Sequence, residues 1–216
     1  MNHTRHIISL CVSGLTLILA GTLVFAASGA GIFEAHGDIG ITPKAGAVEY
    51  NASSAEYRVT GGGANAWGTT DAFHYVWKRI SGDFTLTADV KFTAPGGQQH
   101  RQASLAVRQT LDPGSAVVRT TLHGDGSVAL QFRPAAGAPS EQIQSKLKAP
   151  GRIRLQRRGD EFLMFAGDPG GELQPAGPTT VVFQGPVYVG LAVCAHDAGA
   201  LETALFSNVK LENQSR

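Results

Sequence analysis

Residues 61–92, GGGANAWGTTDAFHYVWKRISGDFTLTADVKF, decide the fold. Toward the end of this stretch Phe84, Leu86, Ala88, Val90 and Phe92 alternate with Thr85, Thr87, Asp89 and Lys91. Successive side chains of a strand point to opposite faces, so this pattern lines a core with the apolar set and turns Thr, Asp and Lys to solvent. A helix would scatter the same residues around its circumference. The stretch is therefore read as a half-buried β-strand, preceded by a second strand, Phe73 to Ile80, across the turn Ser81-Gly82. It also holds both tryptophans, Trp67 and Trp77, the first of them in a Gly-rich turn.

The same logic repeats outward. GIFEAHGDIG (31–40) reads as an opening strand, and Val48 to Tyr50 and Ala55 to Thr60 as two more. Gln102 to Thr110 alternates up to the turn Leu111-Asp112-Pro113-Gly114. Ala116 to His123 and Val128 to Arg133 flank Gly124-Asp125-Gly126, a hairpin signal. Ile153 and Leu155, then Phe162, Met164 and Ala166, alternate on either side of Arg158-Gly159-Asp160. A Pro- and Gly-rich loop from Asp168 to Pro178 leads to Thr179 to Phe183, and Tyr188 to Cys194 and Ala204 to Leu211 close the chain. About a dozen short strands with turn signals, and no amphipathic helix, predict an all-β, two-sheet antiparallel β-sandwich of the jelly-roll kind. The chain carries no internal repeat that would favour a propeller.

The chain has 216 residues, of which 43% are hydrophobic and 16% charged, with 27 glycines. This is a globular composition large enough for one well-filled core. Residues 1–26 differ in kind. Arg5 precedes an uncharged apolar run from Ile7 to Ala26 that ends in Val24-Phe25-Ala26, the pattern of a cleaved secretory signal peptide. An uncleaved anchor is the alternative, since the run approaches membrane-spanning length. The expected organisation is a signal peptide over 1–26 and a single domain over 27–216, in a periplasmic or secreted protein that leaves the membrane after cleavage. Removing Arg5 from the 18 basic residues makes them equal to the 17 acidic ones, so no charge block points to nucleic acid or an anionic surface as partner. Only Cys194 of the two cysteines lies beyond the leader, which rules out an intrachain disulfide there and reads as a packed residue rather than a nucleophile.

The ordered set NAWGTTDAFHYVW, ISGDFTLTADVKF, ASLAVRQTLDPGS, LHGDGSVALQFR, RIRLQRRGDEF and YVGLAVCAHD…ALFSNVKL resembles a concanavalin A-like lectin/glucanase jelly roll. More narrowly, it is similar to a bacterial domain of unknown function that occurs as a stand-alone secreted protein or fused behind TolB-like propeller repeats. The resemblance spans roughly residues 31–212 and implies a sandwich whose superfamily often binds carbohydrate. It does not carry over any Tol-type role, because the propeller is missing. Glucanases of this superfamily use a Glu-x-Asp-x-x-Glu or Glu-x-Asp-x-Glu run, and none occurs here. Retaining glycosidases need two carboxylates about 5–5.5 Å apart, and Asp83 and Asp89, six residues apart on one strand, stand about 20 Å from each other. The sequence leans away from an enzyme.

The candidate ligand-binding residues fall in three groups. Trp67, Asp71, His74, Tyr75 and Trp77 form an aromatic and polar cluster able to stack on a sugar and bind its hydroxyls; core packing of Tyr75 and Trp77, with Asp71 capping a turn, is the alternative. Arg108, Gln131 and Arg133 would line a groove if their polar strand face is open. His123 and His196, each near an aspartate (Asp125 and Asp197), lack ligand spacing, so no metal site is assigned, no cofactor is implied, and calcium has no binding loop to support it. A glycan, or a cell-envelope protein, is the expected partner. The expected function is a noncatalytic carbohydrate-binding sandwich, with a protein-interaction or structural envelope module as alternative. A glycoside-processing enzyme would require His74, His123 or His196 to meet a carboxylate in one pocket.

Overall fold

The computed structural model describes residues 30–214. The expected leader lies outside them. Among the described residues sixteen strands run in chain order: β1 Ala35–Ile39, β2 Ala47–Asn51, β3 Glu56–Gly61, β4 Ala66–Trp67, β5 Thr70–Asp71, β6 Phe73–Ile80, β7 Asp83–Phe92, β8 Gln102–Arg108, β9 Val117–His123, β10 Ser127–Arg133, β11 Glu141–Lys148, β12 Arg152–Arg158, β13 Glu161–Gly167, β14 Gln174–Thr180, β15 Val187–Cys194 and β16 Glu202–Gln214. The first sheet has the order β1-β6-β15-β8-β9-β10-β11 and the second β14-β13-β12-β7-β16-β3-β2, with every pairing antiparallel. Chain neighbours β6 and β7 sit in different sheets, as do β15 and β16, so the chain crosses repeatedly between layers in jelly-roll fashion.

The core lies between the sheets. On β7 Phe84, Leu86, Ala88 and Val90 point inward, where they meet Leu105, Val107, Val118, Leu130, Val189 and Leu191 of the first sheet and Leu155, Met164 and Phe206 of the second. The inward half of the period-2 reading of β7 thus holds up to Val90, while Phe92 at its end is only half-buried and lies under the Arg101 guanidinium, 4.1 Å from its ring centre. The outward half needs correction: Thr85 and Thr87, expected in solvent, are buried under the side chains of Gln156 and Arg154, which donate to their hydroxyls. At about 25 cal/mol per Å² of apolar surface removed from water, burial of this two-layer core is the main stabilising term.

Four strands differ from the sequence reading. β4 and β5 pair as a small hairpin, Ala66 with Asp71 and Trp67 with Thr70, where a Gly-rich turn was expected. β11 carries only Ile143 and Leu147 as apolar inward residues in an otherwise polar run, too thin a signal to register. β14 occupies part of the expected Pro/Gly loop, and the expected strand Thr179 to Phe183 is displaced toward the N-terminus. Pro175 and Pro178 are tolerated because β14 is an edge strand that needs no amide donor on its outer side. Val181 and Phe183 still reach the core from beyond the strand end.

β8 and β9 are buried on both faces along their whole length. One face is the core. The other is covered by a second apolar cluster, made by Ala66, Phe73, Tyr75, Trp77, Ala106, Ala192 and Cys194 with Ile39. The outer face of the first sheet is thus partly roofed, and the roof includes the β4–β5 hairpin.

Candidate functional site

The hairpin is set by two glycines and one aspartate. Gly63 has φ +104° and a Cβ there would sit 2.0 Å from the Ala72 carbonyl oxygen, so only glycine lets the chain pass. Gly68 supplies φ +70° in the tight turn after Trp67. Asp71 then points down onto the sheet, where its side chain is fully buried among three arginines. Arg108 donates to Oδ2 at 2.5 Å, and Arg133 donates to Oδ2 at 2.9 Å and to Oδ1 at 2.8 Å. Arg119 lies 3.6 Å from Oδ1 and donates to the carbonyl of Ala66. Arg133 also donates to the carbonyl of Gly68, and Arg108 to those of Asp112 and Thr110. β8, β9 and β10 each raise one arginine from the sheet, and together they grip the hairpin and the neighbouring 110–115 turn. Burial alone would push the Asp71 carboxyl up, but the charge of Arg119, the hydrogen bond from Arg133 and the charges of Arg108 and Arg133 hold it at about 2.

This arrangement corrects the groove expected around Arg108, Gln131 and Arg133. All three are buried at 2% exposure or less. The two arginines bind the protein itself, and Gln131 belongs to a buried polar ladder: Ser104 and Thr121 hydroxyls 3.0 Å apart, Thr121 donating to Gln131 Oε1, and Gln131 Nε2 3.4 Å from His123 Nε2. Asp71 is equally unavailable to a ligand.

The aromatic cluster also divides. Tyr75 and Trp77 pack on the outer face of the first sheet with rings 5.5 Å apart, and the Tyr75 hydroxyl reaches the carbonyl oxygens of Ala106 and Tyr188. Burial raises the Tyr75 pKa far above its usual value. The packing alternative is the correct one for this pair. His74 sits on the opposite face by strand parity and is buried; its Nδ1 lies 2.7 Å from Asp38 Oδ1 and its Nε2 3.2 Å from His36 Nδ1. Burial would raise the Asp38 pKa, but the hydrogen bonds from His74 and from the Gly46 amide bring it below the usual carboxylate range. Sequence spacing concealed this trio, because Asp38 and His74 meet only through the β1–β6 register. His123 and His196 flank His100, with ring centres 6.4 Å and 5.4 Å away. Burial lowers the pKa of both, and proximity to His100 adds to it. Among the described residues no three ligating side chains gather for a metal ion.

Of the predicted residues only Trp67 and His196 are not buried, and of these two Trp67 lines a pocket. Trp67 is half-buried on the far side of the hairpin from the arginines, and the pocket holds about 390 Å³. Its other walls include Ile41 (86% exposed) and Pro43 of the β1–β2 connection, Asn65, Thr70, Asp71 and Ala198. An indole beside a concave, mainly apolar wall with a few polar groups is the usual make-up of a small-ligand site. Ile41, Pro43, Asn65 and Ala198 were missed because they come from separate loops with no shared pattern; the high exposure expected of a lone Ile in a Gly/Pro-flanked turn was the only available signal.

No protein-family model and no curated protein matches the sequence. Solved structures do match by shape. A functionally unknown protein from Saccharomyces cerevisiae aligns at 15% identity over 79% of this chain and 93% of its own, with a TM-score of 0.60. The carbohydrate-binding module CBM66 from Bacillus subtilis aligns at 15% identity over 88% and 99%, with a TM-score of 0.52. A lectin from Bauhinia forficata aligns at 10% identity over 79% and 91%, with a TM-score of 0.53. At these identities the likeness concerns the fold, which is that of the concanavalin A-like jelly rolls.

Proposed function

We propose that the protein is a noncatalytic carbohydrate-binding β-sandwich that engages glycan through the Trp67 pocket. The observation that carries this reading is the presentation of Trp67: a rigid, ionically pinned hairpin holds an accessible indole against a sugar-sized pocket. Aromatic rings of this kind stack on the apolar face of a pyranose while nearby amide and hydroxyl groups meet its hydroxyls. The fold's presence in a carbohydrate-binding module and a lectin supports the same direction. The noncatalytic part rests on the missing carboxylate run and on Asp71. A carboxyl held at about 2 and enclosed by arginines has no proton to give near neutral pH and no access to a substrate. Placement in the periplasm or outside the cell rests on the leader-like residues 1–26 alone, and the narrower likeness to the TolB-fused domain rests on motif order alone.

The strong exposure of Ile41 favours one second reading, in which the same pocket receives an apolar side chain from a cell-envelope protein. A panel of polysaccharides and glycans, run on wild type and Trp67→Ala with and without calcium, decides between them. Binding that disappears in Trp67→Ala is the expected result. Binding to no glycan, with capture of an envelope protein that depends on Trp67 and Ile41, would replace the first reading by the second.

A further inference from the structure

The chemistry of the pocket walls narrows the ligand class, an argument that rests on the glycan reading above. Asp71 is the only ionisable residue among them, and its side chain is 0% exposed and committed to Arg108 and Arg133. A uronic or sialic acid would find no cation there, and an amino sugar no free carboxylate. The walls at Ile41, Pro43 and Ala198 are aliphatic, so a sugar bearing only hydroxyls would lose water from them without partners in return. Asn65 supplies the polar contact: its Oδ1 is buried and has no hydrogen-bond partner. Buried acceptors are nearly always paired, so an orphan bordering a pocket marks a place where a donor belongs.

We propose that the pocket takes an uncharged sugar carrying an acetamido group, an N-acetylhexosamine. The acetamido methyl matches the aliphatic wall, the pyranose face lies on Trp67, and the amide pairs with the Asn65 amide. In that pairing Asn65 Oδ1 accepts the ligand N–H while Nδ2 donates to the ligand carbonyl. The pairing requires the Asn65 amide plane to turn so that the buried Oδ1 faces the pocket, a rotation that the broad terminal torsion of asparagine allows. A site built around a hydrogen-bonding group rejects an analogue that lacks the partner far more strongly than an apolar wall rejects a missing methyl.

The test is calorimetric titration of the full chain with N-acetylglucosamine and N-acetylgalactosamine against glucose, galactose and glucuronic acid. At least one acetylated sugar is expected to bind roughly tenfold or more tightly than its unacetylated counterpart. Trp67→Ala is expected to abolish binding, and Asn65→Ala, checked by its melting curve to be folded, to bring that ratio close to one. Equal affinity for the unacetylated sugar, preference for glucuronic acid, or a ratio unchanged in Asn65→Ala overturns the acetamido assignment while leaving a Trp67-dependent glycan site standing. No binding to any of these sugars or to the wider panel overturns both.

Discussion

Replacing Asp71 by asparagine removes the one negative charge facing three buried arginines while keeping the side chain's shape. Asp71 accepts three hydrogen bonds of 2.5–2.9 Å from Arg108 and Arg133. Charge-assisted bonds are worth about 1.5–3 kcal/mol each, but they are not additive in one network. Breaking a buried pair by removing one partner costs about 3–5 kcal/mol, because the remaining charge stays buried. Here Arg108 and Arg133, each fully buried, would keep one neutral amide oxygen and the backbone carbonyls as acceptors, and the asparagine amide would turn an N–H toward a guanidinium. The expected loss is about 4 kcal/mol, a large share of the roughly 5–15 kcal/mol that a folded domain has. For a domain of this size it corresponds to a fall in Tm of about 8–16 °C. The control is Asp89→Asn. Asp89 pairs with Arg152 at 2.5 Å on the outer face of the second sheet, where both side chains keep contact with water (13% and 24% exposed), and its loss is expected to cost about 0–1 kcal/mol. Urea unfolding of the three proteins gives the comparison directly. If Asp71→Asn loses no more than Asp89→Asn, the claim that the arginine node holds the hairpin is wrong.

The same carboxylate predicts an acid limb. Its folded value of about 2 lies below the ordinary 3.8, so its contribution is full above pH 3.8 and disappears as pH falls toward 2; by linkage this amounts to about 2 kcal/mol. Wild type measured from pH 5 to pH 2 should lose that increment, and an Asp71→Asn curve lacking no part of it would refute the assignment. Gly63→Ala should destabilise the fold and weaken Trp67-dependent glycan binding together, since φ +104° and the 2.0 Å approach to the Ala72 carbonyl oxygen leave no place for a Cβ; an unchanged melting curve counts against this. Cys194, buried at 1% exposure with its thiol pushed up to about 11, should resist a thiol reagent at neutral pH until denaturant is added. Prompt labelling of the native protein would contradict that.

The fold was legible where residue type alternates with period two. Phe84 to Val90, Ile153 with Leu155, and Phe162, Met164 and Ala166 each announce which side faces the core, and each does so in the structure. β11 and β14 were hard to read because edge strands bury little and so carry little pattern. The site was legible in only one residue, for a different reason. Strand parity shows that Tyr75 and Trp77 share a face and that His74 does not, but it does not show whether the outer face is wet. That depended on a two-residue-long hairpin whose strands are too short to leave a periodic signal. Arg108, Gln131 and Arg133 look like surface residues on an outward strand face, and only the roof over them turns them into interior ones.

That roof also explains the odd composition of β8 and β9. Strands buried on both faces usually read as continuous apolar runs, yet these carry Gln102, Ser104, Arg108, Arg119, Thr121 and His123 on one side. Three arginines under a cover must find acceptors, and the hairpin brings them one carboxylate and the carbonyls of Ala66 and Gly68. The groups that would have made an open polar groove are therefore used to fix the cover. Recognition is thereby moved one layer outward, from the sheet to the far side of the hairpin, where Trp67 stands. A ligand site placed there depends on the node beneath it: loosening Asp71 should reduce glycan affinity even in variants that remain folded, whereas loosening the Asp89–Arg152 pair should leave it unchanged.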